Sequence, residues 1–286
     1  MASPKKSALI MNEITPSVMK VVGWCGNKFK IGRKMVVELI VVGLFIGTIS
    51  GFFGVGGGML LIPVLLTLGF GIKESIAMSV VQMVFSSVFG SYTNYKKGKL
   101  VINEGIWVGI GGIIGGVIGS KFTDLLPEDI LEYIFLALVV FAFIRVATSK
   151  KPEDGQEEGS FNKVTLFVIG VVIGTIAMML GVGGSVMLTP VLIGFLHFPS
   201  KKAATAGLFF VVFSSISGLI YKLAAGTFVS LNLDLTYALS IGIASVAGVI
   251  LGIKLKDIVH DNRHKQFLLI MYIVIIILTV KKIWFG

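Results

Sequence analysis

The sequence predicts an all-α integral membrane fold made of two homologous repeats, each with about five hydrophobic segments, one of them half-length. Three observations predict it. Of 286 residues, 55% are hydrophobic and only 14% charged, with a mean hydropathy of +0.94, which is too little polar surface to clothe a soluble domain. Apolar runs near the length that crosses hydrocarbon alternate with gaps that hold almost all the Lys and Arg. The third observation is a duplication: Gly43-Leu-Phe-Ile-Gly-Thr-Ile-Ser-Gly-Phe-Phe-Gly-Val-Gly-Gly-Gly-Met-Leu-Leu-Ile-Pro63 aligns without a gap on Gly170-Val-Val-Ile-Gly-Thr-Ile-Ala-Met-Met-Leu-Gly-Val-Gly-Gly-Ser-Val-Met-Leu-Thr-Pro190.

Residues 1–35 form a basic tail in which Ile14, Val18, Val21, Val22, Trp24 and Phe29 are set among Lys20, Lys28 and Lys30, the pattern of an interfacial helix. No compact apolar core with a small-residue cleavage site marks it as a signal peptide, so it is expected to stay on the chain. Repeat 1, residues 36–148, holds apolar segments Val36 to Phe53, Met59 to Phe70, Ile76 to Tyr92, Ile106 to Ser120 and Ile130 to Thr148. The second is too short to cross: at about 1.5 Å per residue it reaches roughly half of a hydrocarbon core. A polar, acidic linker at 149–163 follows. Repeat 2, residues 164–286, restarts the series with Val164 to Leu180, Val186 to Phe198, Ala203 to Tyr221, Leu235 to Ile253 and Phe267 to Phe285.

Further echoes pair Phe85-Ser86-Ser87 and Gly90 with Phe213-Ser214-Ser215 and Gly218, and Gly119 and Asp124 with Gly252 and Asp257. Lys and Arg counts in alternate loops do not separate parallel from inverted repeats. The length of the two first segments, each sufficient to cross before a half-length segment turns back, favours inverted repeats.

The candidate site lies at the two glycine-rich breaks, Gly54, Gly56, Gly57 and Gly58 in one repeat and Gly181, Gly183, Gly184 and Ser185 in the other. A new helix begins at about Gly58 and Ser185, and its first amides have no partner inside the helix. Such N–H groups and their partial positive charge make a ready anion site. In lipid, a break is tolerated only where freed amides find protein, water or ligand. Neutral hydrogen-bonding side chains surround the breaks: Thr48, Thr175, Gln82, Ser86, Ser87, Ser214 and Ser215, with Ser79 also near. Gln82 is the largest of them and is expected to face a cavity. Gly43 with Gly47, and Gly170 with Gly174, read instead as small-residue packing positions.

The near absence of Asp, Glu, Lys and Arg from the segments around the breaks speaks against a buried carboxylate proton relay, and an oxyanion held by amides and hydroxyls needs no buried counter-charge. Lys73, Lys201 and Lys202 flank the short segments and could attract one. The net charge of +10 falls mainly in the loops, where topology accounts for it, and no basic stripe with interleaved aromatics points to nucleic acid. Cys25 is the only cysteine, so neither an intrachain disulfide nor a cysteine-rich metal site is available. The glycine runs lack the strand-helix setting and Lys-Ser/Thr ending of a nucleotide loop. Ser185 with His197 has no third orienting group, so no hydrolase, catalytic residue, cofactor or metal is expected. The partners expected are a small anionic substrate, the lipid bilayer and a coupling ion, proton or sodium. The oligomeric state is left open, as are an anion channel and a non-transporting assembly protein.

The run from Gly47 to Pro63, its echo from 174 to 190 and the two-half plan resemble the sulfite exporter TauE/SafE family of membrane permeases over about residues 36 to 285. The resemblance implies a multi-pass protein of the plasma membrane that transports sulfur-containing oxyanions such as sulfite, sulfonates or sulfoacetate. The second half departs from the first at Ser185, in place of Gly58, and at Met178-Met179, in place of Gly51-Phe52, so two strictly equivalent half-sites are not implied.

Overall fold

The computed structural model describes residues 34–54, 56–98, 103–148, 162–196, 200–256 and 261–285; the tail at 1–33 and nearly all of the linker lie outside them. Every regular element among the described residues is a helix. They are α1 (Lys34–Phe53), α2 (Gly58–Thr67), α3 (Ile72–Lys96), α4 (Asn103–Leu125), α5 (Glu128–Thr148), α6 (Lys163–Met179), α7 (Ser185–Leu196), α8 (Ser200–Ala224), α9 (Thr227–Ser230), α10 (Leu235–Lys256) and α11 (Asp261–Phe285). Seven of them, α1, α3, α4, α5, α8, α10 and α11, are long and apolar enough to cross a membrane. Compactness divides the chain at residue 39. The described part of the first unit is the opening of α1, where Lys34 and Glu38 form an exposed i,i+4 pair at 3.9 Å, an arrangement that adds little stability.

Helix ends differ from the apolar boundaries for a physical reason: a helix continues wherever its backbone bonds can, past the point where hydropathy falls. Thus α3 starts at Ile72 and not Ile76, because Glu74 Oε2 accepts the Gly71 amide at 2.9 Å and closes the first turn with charged residues inside it. At α6 the Asn162 side chain accepts the Val164 amide at 3.1 Å, an N-cap in the polar linker. Pro63 is the sixth residue of α2, as Pro190 is of α7. At that depth a proline removes a backbone donor.

Within the second unit, the first long helix of each half packs on the last helix but one of the other. A methyl group on Gly43 would stand 2.6 Å from the Ile241 carbonyl, and methyls on Gly47 and Gly51 would strike the backbone of Ser245 and Val249. These partners rise in step, so α1 and α10 run the same way. In step too, Gly111, Gly115 and Gly119 of α4 sit on the Phe167, Val171 and Thr175 carbonyls of α6. The correspondence is residue by residue. Gly248 meets Leu44 and Thr48 as Gly115 meets Val171 and Thr175, and the sequence alignment places those residues on one another. Gly105 and Gly109 of α4 lie against the rings of Phe209 and Phe213 of α8, and Gly242 of α10 against Phe85 of α3. Gly43, Gly47, Gly170 and Gly174 are therefore sites of backbone-to-backbone approach, as small-xxx-small spacing leads one to expect.

Candidate functional site

Both breaks have the backbone that glycine makes possible. Gly54, Gly56 and Gly57 have φ of 71°, 79° and 78°, and Gly181 and Gly183 have φ of 62° and 74°, the left-handed region in which a Cβ is strained. Gly57 is the N-cap of α2 and no side chain caps that end. The first α2 bond from beyond the break is Leu61 N–H to the Gly57 carbonyl, at 3.2 Å. In α7 the Met187 and Leu188 amides bond back to Gly184 at 3.2 and 2.7 Å. The opening amides of both helices thus lie outside the intrahelical ladder.

The breaks meet. A methyl on Gly56 would lie 3.8 Å from Gly183 Cα, Ser185 Oγ and Val211 Cγ1, and one on Gly58 would strike the Gly181 carbonyl. Ser79 of α3 donates to that Gly181 carbonyl at 2.6 Å, a buried bond between residues 102 apart in sequence. Ser86 of α3 donates to Met83 O at 3.2 Å and toward the Gly56 carbonyl at 3.4 Å.

Two substitutions between the halves are explained by this packing. In the first half the hydroxyl comes from α3, as Ser79, whose Oγ stands 2.5 Å from where a Gly58 methyl would be. In the second half α7 supplies it as Ser185, and the facing α8 residue is Gly207, where a methyl would come within 3.2 Å of Ser185 Cβ. Ser185 in place of Gly58 is therefore matched by Gly207 in place of Ser79. Each half keeps one hydroxyl and one gap. A third substitution is not matched in this way. Gln82, against Gly57, corresponds to Phe210, against Gly184, so one half presents an amide where the other presents a ring.

Gln82 and Ser185 are both buried, at 0% and 2% exposure. Gln82 Nε2, Gln82 Oε1 and Ser185 Oγ meet no hydrogen-bond partner among the described residues. A buried polar group left in that state costs on the order of 1–3 kcal/mol. Replacing Gln82 with Leu is accordingly expected to raise the melting temperature, and a fall would show that the amide is already satisfied.

The other expected site residues lie elsewhere or turn away. Thr48 and Thr175 bond back to Leu44 O and Val171 O, both at 2.8 Å, at the α1–α10 and α4–α6 seams. Ser87 bonds Val84 O and Ser215 bonds Val212 O, each at 3.4 Å, and Ser214 reaches Phe210 O and Val211 O within its own helix. Such back-bonding satisfies a hydroxyl locally. Gly54 is half-buried with open space beside it, and its amide donates to Ser50 O at 2.8 Å. Lys73 donates to the Asp124 carbonyl at 3.0 Å. The side chains of Lys201 and Lys202, and His197 as a whole, lie outside the described residues.

Comparison with known proteins returns a family model described as sulfite exporter TauE/SafE, matching residues 39–279. Probable membrane transporter protein YdhB of Bacillus subtilis is 28% identical over 153 residues, 51% of this chain and 62% of that protein. A probable membrane transporter protein of Methanocaldococcus jannaschii is 26% identical over 74% of this chain and 84% of its own. Probable membrane transporter protein YunE of Bacillus subtilis is 24% identical over 87% of this chain and 98% of its own. The span shared with the first is thus under two thirds of that relative's length, and with the third nearly all of it. No solved structure matches.

Proposed function

The chain belongs to the sulfite exporter TauE/SafE family, and from that premise we infer that it is a secondary permease moving a small sulfur-containing oxyanion, such as sulfite, a sulfonate or sulfoacetate, across the plasma membrane. The observation that carries this reading is the meeting of two helix openings at Gly56 and Gly183, beside the unpartnered Gln82 amide and Ser185 hydroxyl. Unpaired amides at a helix opening suit an anion, and the Gln82 Nε2 and Ser185 hydroxyl donors orient it without a buried counter-charge. The halves are read as inverted repeats, with α1 and α6 exchanged between them; the matched pairs α1–α10 and α4–α6 support the exchange. A carrier is favoured over an open channel because the breaks are packed on one another, so substrate is admitted only when they part. A coupling ion, proton or sodium, drives the cycle.

Purified protein in liposomes is expected to move sulfite or a small sulfonate faster than empty liposomes do, with counterflow, and imposed proton and sodium gradients identify the coupling ion. Equal leak for every anion tried would exclude the reading, and flux without counterflow would make the protein a channel. Gln82→Leu is expected to lose substrate affinity even as it gains stability, which a purely structural amide would not do.

A further inference from the structure

A buried charge lies at the end of the α4–α8 seam. Lys222, near the end of α8, has a fully shielded side chain, and its Nζ has no hydrogen-bond partner among the described residues. The nearest opposite charge is Asp124, near the end of α4, with Oδ1 3.5 Å away, beyond the roughly 2.7–2.9 Å of a charge-assisted hydrogen bond. Asp124 is engaged on its other sides. Its Oδ2 accepts from Thr227 Oγ1 at 3.2 Å and its carbonyl from Lys73 Nζ at 3.0 Å. Two ammonium groups, one from α3 and one from α8, therefore converge on one aspartate, and the buried one keeps its donors unfilled.

Lys222 also lines a cavity of about 460 Å³ at the turn from α8 to α10, together with Phe228, Asn232 and Asp234. The Asp234 carboxylate is exposed and already occupied at the start of α10, where Oδ1 accepts the Thr236 amide at 2.8 Å. The Thr236 side-chain and backbone bonds hold its carboxyl below the usual carboxylate range. From Lys222 inward, the seam between α4 and α8 holds further hydroxyls. Ser120 Oγ, buried and unpartnered, stands beside Gly218, while Ser217, beside Gly116, donates back to Ser214 O at 3.0 Å.

An ammonium inside a membrane helix is retained at a cost, and its usual work is on a charged partner. At 3.5 Å the two charges form an ion pair across α4 and α8, yet the Lys222 donors are left without a hydrogen-bond partner among the described residues. We propose that Lys222 and Lys73 form an anion-admission site at the end of the bundle where α4 and α8 finish, with the Asp124 carboxylate as a tethered stand-in for the anion. The ligand class, a small oxyanion, rests on the function proposed above. An arriving oxyanion fills the Lys222 donors in place of Asp124.

The test uses sulfite, sulfate and phosphate as probes, titrated at constant ionic strength against the full-length protein in detergent, with melting temperature as the readout. A Gly56→Ala/Gly183→Ala background removes the central site. There, Lys222→Gln is expected to raise the half-effect concentration about tenfold, as for loss of a charged hydrogen bond, and Asp124→Asn to lower it by removing the competitor. A structural ion pair would make the two variants change alike, which would overturn the proposal, as would the absence of any anion response. If the double background fails to fold, Lys73→Gln and Asp124→Asn in the native chain decide the matter, since opposite shifts support the site and shifts of one sign overturn it. Opposite shifts with no sulfite flux in liposomes would leave this site standing and remove the transport reading; flux with like shifts would do the reverse.

Discussion

Gly115→Val is expected to cost about 3 kcal/mol or more and to abolish most of the folded yield, measured as monodisperse protein and melting temperature in detergent. The position on α4 faces backbone and not a side chain: a methyl there would strike the Val171 carbonyl and lie 2.8 Å from the Thr175 nitrogen. Overpacking against a flexible side chain is relieved by a rotamer change, whereas α6 can give way only as a whole helix. Gly111 and Gly119, one turn to either side, hold α6 equally close, so separation at one point opens the whole seam. Ile113 on the same helix is 40% exposed, and Ile113→Ala is expected to shift stability by no more than about 0.5 kcal/mol. Similar losses at Gly115 and Ile113 would mean that the seam is looser than its backbone contacts require.

The same geometry separates what hydropathy and repetition reveal from what they conceal. Glycine spacing along α1 and α6 announces close helix contact, because only small residues let backbones approach, but it does not name the partner. That α1 meets α10, and α6 meets α4, depends on how the halves interweave. The breaks were legible for a related reason: a glycine cluster inside an apolar run has few uses in lipid. Ser79 donating to Gly181 is different. It joins residues 102 apart in sequence, and nothing in either local pattern calls for it. The exchange of Gly58 and Ser79 for Ser185 and Gly207 is visible in the sequence only once α2 is known to lie on α3 and α7 on α8. Lys222 shows a third kind of loss. It stands one residue past the apolar run that ends at Tyr221, where a lysine reads as an ordinary loop charge, yet α8 continues to Ala224 and buries it.

Gly56→Ala and Gly183→Ala are expected to weaken substrate binding by about tenfold or more while leaving the fold intact. Two effects act at Gly56, and a control separates them. Its φ of 79° makes any Cβ strained, at roughly 1 kcal/mol or more. Its added methyl would otherwise meet only ordinary contacts, at 3.8 Å, from Gly183, Ser185 and Val211. The methyl is thus admitted by the folded chain, but it occupies the place where the two breaks approach and where an oxyanion would contact the opening amides of α2 and α7. Gly69 has a φ of 93° and nothing within 4 Å of an added Cβ. Gly69→Ala therefore carries the same kind of backbone strain without touching the site, and is expected to lower melting temperature comparably while leaving affinity unchanged. Calorimetric titration with sulfite or a small sulfonate in detergent, with melting temperature recorded for each variant, gives both readouts. If Gly69→Ala reduces affinity as much as Gly56→Ala does, the loss belongs to strain and not to the site. If Gly56→Ala and Gly183→Ala bind normally, the breaks are hinges and the anion is held elsewhere in the molecule.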